Sequence, residues 1–450
     1  MLIFYFLVML MPLEQHPLWG KFVGGGTVVK WIGLACFVYA VCHLVSQNTR
    51  HRYFLTPQAR IYLLYLPLVS ASYWLMGPEF SLHNSEFIIY VSMSVLFFIV
   101  VSTVDTLDRL RWTLLTAVAS LGLTSAYVFR EWMRDPWWRP GSISGDANYF
   151  SLNAALVLPI ALLFMLRSKK LWERILALGC LLATFVSTTL GASRGGMVAL
   201  MAAFLLLIWH SPRRVRNLVV ITVLFIPPLV IMPSSPLRRF MHPKYSDLNG
   251  KRARLIAWRA ALHMIEAHPL VGIGVGQFKP KMLSYAEPGL TKSSIAHNTY
   301  LEVASEAGLP TFCVFLALLF LTYRSFNQVR LRALKDGRGF LYLAAFGMQA
   351  GFFGYVVGAF FLSAEYQKLL WLWIFLSMVL ASFASSPFEA ESEASYALPR
   401  LGLIAAGTGN WRDQDRVAVE GGGRLRDREP GRSGREGQRP SSVQPVLPRR

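Results

Sequence analysis

His297 opens the stretch His297-Asn298-Thr299-Tyr300-Leu301-Glu302-Val303-Ala304-Ser305-Glu306-Ala307-Gly308-Leu309-Pro310. The spacing predicts a helix that starts just after the histidine, with Glu302 and Glu306 one turn apart on a shared face. An imidazole at a helix N-terminus feels the positive end of the dipole, which favours its neutral form. A neutral imidazole accepts a proton, as a general base must. The same residues also read as a capped helix start with a satisfied interfacial histidine.

A second set of reactive types runs from Arg252 to Gly276. Arg252, Arg254, Trp258, Arg259 and His263 lie on a predicted helix that Pro269 ends. Leu255, Trp258, Leu262 and Ile265 fall at helical spacing and predict its apolar stripe. Arg254 sits four residues before Trp258, and Arg259 four before His263, so each pair is adjacent on the surface. Guanidinium groups on an interfacial helix suit phosphate. The plainer reading is a basic helix that touches anionic lipid. The following Gly272-Ile273-Gly274-Val275-Gly276 lacks the spacing of a dinucleotide loop and follows no strand, so a Rossmann reading fails.

A third feature is Ser193-Arg194-Gly195-Gly196 between two apolar runs. An arginine at a membrane boundary is costly without a partner. Arg194 either grips an anion or snorkels from a tight turn toward headgroups. Asp146 and Asn148 stand at the mouth of another run, where they bind a hydroxyl or cap a helix. Trp137 and Trp138 suit sugar stacking or an interfacial aromatic belt. Glu365 lies in a short loop with no assigned role. No HExxH, DxD or carboxylate-rich cluster is present on this face, so neither a metal nor another cofactor is indicated. Cys36, Cys42, Cys180 and Cys313 lie in apolar stretches without CxxC spacing and read as small core residues.

The elements that must position these residues are membrane helices. The chain has 450 residues, 54% hydrophobic and only 16% charged, with a mean hydropathy of +0.41. That excludes a soluble globular protein and a disordered one. Apolar runs fall at about 1–13, 27–47, 60–76, 86–104, 110–129, 150–166, 171–190, 195–210, 217–233, 299–323, 339–362 and 368–385. The expectation is an all-α polytopic membrane protein of about twelve transmembrane helices, with one long outward loop, about 234–298, containing an amphipathic helix. The first run lacks a basic n-region and a cleavage site and reads as a retained span. Lys and Arg number 17 in the short loops on one side against seven on the other, which places both termini in the cytoplasm and the His297 motif outside. The net charge of +20 therefore reflects topology and anion binding rather than nucleic acid. Residues 386–450, rich in Arg, Gly and Pro, carry 11 Arg against nine acids. They read as a disordered cytoplasmic tail whose removal after about residue 388 leaves activity intact.

Several Arg and one His on an outward face suit a pyrophosphate, which takes bidentate contacts from guanidinium groups. With no nucleotide site, the energy for a transfer comes from an already activated donor, such as a lipid pyrophosphate entering from the membrane. The order Ser-Arg-Gly-Gly, then Arg254-x3-Trp258-Arg-Ala-Ala-Leu leading to His-Pro-Leu-Val-Gly-Ile-Gly-Val-Gly-Gln-Phe, then His297-Asn298-x9-Gly308 resembles the bacterial O-antigen ligase and O-antigen polymerase superfamily. The resemblance covers about residues 60–385 and is strongest over 190–312. The family pattern continues Gly-x-x-Gly, and Thr311 stands here for the last glycine.

The resemblance implies a metal-independent glycosyltransferase of the inner membrane with its active site on the periplasmic face. Its donor is an undecaprenyl-pyrophosphate-linked glycan and its acceptor a sugar of lipid A–core or another glycan. By motif, His297 is the base. Arg194 and Arg254 hold the pyrophosphate, with Arg252 and Arg259 as weaker candidates. Asn298, Tyr300, Glu302, Trp258 and Asp146 are secondary candidates for substrate contact. A polymerase of the same superfamily is the alternative. A small-solute transporter fits less well, because the chain shows few midplane charges and no inverted repeat, and a non-catalytic scaffold for glycan assembly fits least.

Overall fold

The computed structural model is all-helical and describes residues 1–13, 28–46, 56–76, 85–135, 146–211, 214–231, 245–287, 292–385 and 396. Among them run fourteen α-helices. These are α1 (Leu2–Leu10), α2 (Val28–Ser46), α3 (Pro57–Met76), α4 (Ser85–Thr103), α5 (Leu107–Arg134), α6 (Ala147–Arg167) and α7 (Leu171–Leu190). They are followed by α8 (Arg194–Trp209), α9 (Arg214–Ile231), α10 (Tyr245–Ala267), α11 (Phe278–Tyr285), α12 (Thr299–Lys335), α13 (Gly339–Gly358) and α14 (Lys368–Ser385). Every one of the twelve apolar runs is helical, because in lipid only a helix satisfies each backbone N–H and C=O within its own segment. α10 and α11 fill the long loop.

The number of crossings is a separate matter. Seven helices among the described residues are long and apolar enough to span by length and composition: α4 to α7 and α12 to α14. α1 has nine residues and rises only about 13 Å, against roughly 30 Å of hydrocarbon. The apolar stretch Val28–Leu44 of α2, and α8, are shorter than the seven. The protein is thus a multi-pass membrane protein with seven candidate spans, and the count of twelve is not reached by this measure.

The bundle is apolar on its outside and partly polar within. On α7, Leu171, Ile175, Leu178 and Leu182 are all exposed and recur at one helical stripe. The opposite face buries Thr184, Ser187 and Thr188, and Ser187 Oγ donates to the Ser125 carbonyl of α5 at 3.1 Å. Such reversed amphipathicity suits lipid around the bundle. Of the cysteines, Cys36 is buried, but Cys42 and Cys313 lie on the outer surface, so those two are not core residues.

α13 forms the centre. Its glycines at 347, 351, 354 and 358 take the place of side chains against α6 and α8. A Cβ on Gly351 would meet the Leu156 carbonyl oxygen, and one on Gly354 the Ala199 carbonyl oxygen. Small residues at this spacing let helix backbones approach where lipid gives no hydrophobic drive. On the other side, Tyr62 and Tyr65 of α3 and Tyr90 and Phe97 of α4 pack with Trp371 and Phe375 of α14 at centroid distances of 5.0 to 6.4 Å.

At one end of the bundle Arg111 of α5 meets the fully buried Glu173 of α7, with Nε and Nη2 at 2.8 and 2.6 Å from Oε1. Ser168 Oγ and the Tyr396 hydroxyl donate to Glu173 Oε2 at 2.6 and 2.9 Å. Tyr396 is the only described residue beyond 385. It is buried, and its ring packs on Phe164 and Phe340. The remainder of the expected tail, Trp137 and Trp138 lie outside the described residues.

Candidate functional site

The opposite end of the bundle carries the His297 motif, and its construction begins with a broken helix. α12 is interrupted at Gly308, whose φ of 82° and ψ of 165° are not helical. Pro310 follows and has no N–H to continue the ladder. The break leaves carbonyls of the short arm 299–307 without intrahelical donors. Thr311 Oγ1 donates to the Ala307 carbonyl at 2.6 Å, so the residue that departs from the family pattern satisfies one freed acceptor.

The glycine-rich loop after α10 satisfies the others. Ile273 N–H donates to the Ser305 carbonyl at 2.9 Å, Gly274 N–H to the Glu306 carbonyl at 3.0 Å, and Leu309 N–H back to the Pro269 carbonyl at 2.8 Å. Ser72 Oγ of α3 also reaches the Glu306 carbonyl at 2.7 Å. The backbones approach so closely that a Cβ on Gly272, at φ +70°, would sit 2.3 Å from the Glu306 carbonyl carbon and oxygen. Glycine is required there by space and by conformation. The Gly-x-Gly-x-Gly run therefore clasps a helix end and cradles no phosphate.

The Glu306 side chain closes the clasp. Oε2 accepts from Gly276 N–H at 2.9 Å and from the Tyr366 hydroxyl at 2.6 Å, while Oε1 accepts from Phe278 N–H at 2.9 Å. Lys281 binds the same loop from behind: its Nζ donates to the carbonyls of Ile273 at 2.7 Å and Met76 at 3.2 Å. Burial lowers the pKa of this ammonium.

The loop between α13 and α14 holds the other end of the arm. Thr299 N–H and Oγ1 both donate to the Leu362 carbonyl, and Ala364 N–H donates to Thr299 Oγ1 at 2.8 Å. The Ser363 hydroxyl donates to Glu302. Glu365 is fully buried, beside the Thr299 hydroxyl and the Ala364 N–H. Burial, and then the charge of Glu306, push its carboxyl up to about 8.

His297 stands just ahead of this arm. Its φ is +50°, a left-handed conformation rare for a residue with a side chain. Asn298 caps the helix, its Oδ1 accepting from Tyr300 N–H at 3.0 Å and Leu301 N–H at 3.1 Å. The histidine is half-buried. Burial, then the Arg254 charge, hold its imidazole below the ordinary range, and Asp146 opposes them. The neutral form is thus favoured by desolvation and a cation, where the sequence pointed to the helix dipole.

The candidates separate on these grounds. His297, Arg254 and Asp146 come together. Trp258 Nε1 donates to the Ala296 carbonyl at 2.9 Å, and its ring meets Phe360 edge-on at 5.7 Å. This turns the Arg254–Trp258 face of α10 toward the histidine. Arg194 opens α8 beside them: its N-cap Ser193 donates to Asn148 Oδ1 at 2.8 Å, two residues from Asp146. Arg252 is exposed. Arg259 is exposed and paired with Glu287 at 2.6 Å, and His263 Nδ1 lies 3.0 Å from the Tyr285 carbonyl, so that face points to α11. Asn298, Tyr300 and Glu302 are engaged in holding the arm; the Tyr300 hydroxyl donates to the Val356 carbonyl at 2.6 Å.

The apolar stripe of α10 is not the face that packs on the protein. Leu255 and Leu262 are exposed, and the buried face is Ala257, Ala260, Ala261 and Met264 against Ile273, Phe278 and Met282. Alanine permits the close approach that the adjoining loop needs, and a pattern search weighted to large side chains misses it. Glu365 and the 362–366 loop carried one signal, an acid between two apolar runs. Among the described residues no group of three or more His, Cys, Asp or Glu is placed to hold a metal ion.

The family model described as O-antigen ligase matches residues 179–316. That span includes Arg194, α10, the clasp and the His297 arm, and it ties this membrane protein to glycan transfer of the ligase and polymerase type. No curated protein matches the chain.

Proposed function

We propose that this protein transfers a glycan from an undecaprenyl-pyrophosphate carrier to a sugar hydroxyl of lipid A–core at the outer face of the bacterial inner membrane. The observation that carries the reading is the convergence of His297, Arg254 and Asp146 at one end of the bundle, inside the matched segment. His297 takes the proton of the acceptor hydroxyl. The acceptor oxygen forms a bond to the anomeric carbon of the donor sugar, and the bond from that carbon to the pyrophosphate oxygen breaks. Undecaprenyl pyrophosphate leaves with the electron pair. Arg254 and Arg194 hold the pyrophosphate and stabilise its growing charge, a contribution of about 3–4 kcal/mol per donor group in comparable sites. The charge of Asp146 favours the imidazolium that forms.

The test is a deletion strain complemented with wild type or His297→Ala, with its surface and lipid-linked glycans analysed. Loss of a positioned general base costs on the order of 100- to 10,000-fold. Full-length polymer that accumulates on the carrier and is missing from lipid A–core identifies a ligase. A single repeat unit on the core identifies the polymerase instead. A wild-type glycan pattern in the His297→Ala strain overturns the assignment of the base.

A further inference from the structure

The end of the bundle opposite His297 holds a second group of cations. Arg330 lies 21 residues beyond Leu309 on α12, a rise of about 32 Å, which is close to the thickness of the hydrocarbon layer. Its side chain is only 7% exposed. Nη2 donates to Asn327 Oδ1 at 2.8 Å, and the guanidinium lies 5.4 Å from the Phe346 ring centroid. Among the described residues its Nε has no hydrogen-bond partner. Arg167 ends α6 three residues beyond Phe164, whose ring meets Phe340 of α13 at 6.5 Å, and Tyr342, two residues further along α13, meets the same Phe346 ring at 5.6 Å; both guanidinium charges act on the Tyr342 hydroxyl. His210, which caps α8, meets Phe346 edge-on at 5.8 Å and feels the Arg330 charge. Gln349 is fully buried nearby, with Nε2 3.3 Å from Asn327 Oδ1.

Among the described residues no carboxylate acts on Arg330 or Arg167. Elsewhere at this end Arg111 is paired with Glu173 and Asp108, and the buried Arg338 donates to the Phe383 carbonyl at 2.7 Å. A buried guanidinium with no counter-ion among the described residues is desolvated with only the Asn327 hydrogen bond and the Phe346 ring to offset it, and two in one cluster also repel. Cations between membrane helices at an interface are matched by anionic headgroups, and guanidinium groups suit the bidentate geometry of phosphate.

We propose that Arg330 and Arg167, with Tyr342 of α13, form a phosphate-binding site at the end of the bundle opposite His297, filled from a lipid headgroup or from solution. The site is distinct from the donor pyrophosphate site and does not depend on it. A phosphodiester there ties α6, α12 and α13 together at the end remote from the transfer.

The experiment uses the full chain, delipidated in a neutral detergent and examined by native mass spectrometry. One arm titrates dioleoyl phosphatidylglycerol and the other inorganic phosphate. The expected result is one retained adduct in wild type, with affinity at least tenfold lower in Arg330→Gln and in Arg167→Gln. Retention of phosphatidylglycerol assigns a lipid headgroup, and retention of inorganic phosphate alone assigns a soluble anion. Arg167 is half-exposed, so Arg167→Gln carries the test if Arg330→Gln does not fold. No retained adduct in either arm, or adducts unchanged by Arg167→Gln, overturns the proposal.

Discussion

Thr299 gives both of its donors to the carbonyl of Leu362, sixty-three residues away: its N–H at 3.0 Å and its hydroxyl at 2.7 Å. The start of the His297 arm is thereby fastened to the loop between α13 and α14. The glycine clasp of residues 268–278 fastens its other end. The imidazole of His297, two residues ahead of Thr299, is held in a left-handed backbone conformation next to the first of these anchors. A general base that must meet an acceptor hydroxyl at hydrogen-bond distance needs such fixed placement.

Two arginines of α10 should behave differently. Arg254→Ala is expected to lower glycan transfer by about 100-fold, the size seen when one charge-stabilising donor is removed. Arg259→Ala should remain within about twofold of wild type, since an exposed pair such as Arg259–Glu287 contributes little. Transfer assayed with purified donor and acceptor distinguishes them, and equal losses would remove Arg254 from the site.

The pH profile should show an acidic limb below the ordinary imidazole value of 6.5, because burial and Arg254 disfavour the charged form of His297. Asp146 acts the other way, so Asp146→Asn should move the limb further down while still capping α6, as asparagine caps well. Arg254→Gln should move it up. Rates measured from pH 4.5 to 8 check both directions, and a limb that stays in place in both variants would show that His297 is not the titrating group.

Glu365 should make the fold sensitive to alkali. Its carboxyl is raised from 4.5 to about 8 by burial and by Glu306. The neutral acid is therefore favoured in the folded state. Its stabilising effect is complete below pH 4.5 and is lost as pH rises through about 8. Glu365→Gln, neutral at every pH, should melt near wild type at pH 5 and several degrees higher at pH 8.5. Tm measured at the two values tests this, and parallel shifts at both would refute it.

Truncations should have a boundary set by Tyr396. The Tyr396 hydroxyl donates to Glu173 and its ring packs on Phe164 and Phe340. A chain ending at 400 should melt as the full chain does. A chain ending at 388 loses this contact, at a cost of about 3 kcal/mol, as for other buried aromatic side chains. The sequence predicts that activity survives a cut at about 388; the Tyr396 contact predicts a loss of stability. Tyr396→Ala in the full chain should reproduce the loss, and equal Tm values for the two truncations would count against it.

The sequence by itself determined the elements. Twelve apolar runs became helices because lipid leaves the backbone no other means of satisfying its hydrogen bonds within a segment. The Gly308-Leu-Pro310 break is also local, since proline lacks the donor and glycine accepts the conformation. The sequence also marked His297 as a group able to take a proton, Arg254 as one able to hold a phosphate, and Asp146 as one that binds a hydroxyl or caps a helix. What it could not contain is which distant group meets which. Glu306 reads as one of two polar residues on a helix face, yet it joins Gly276, Phe278 and Tyr366. Arg252, Arg254 and Arg259 are chemically alike, and only the packing of the alanine face of α10 decides that Arg254 turns to the histidine. Helical periodicity fixes relations over four residues. Contacts across thirty to sixty residues are set by how the helices close on one another, and that is where the site was decided.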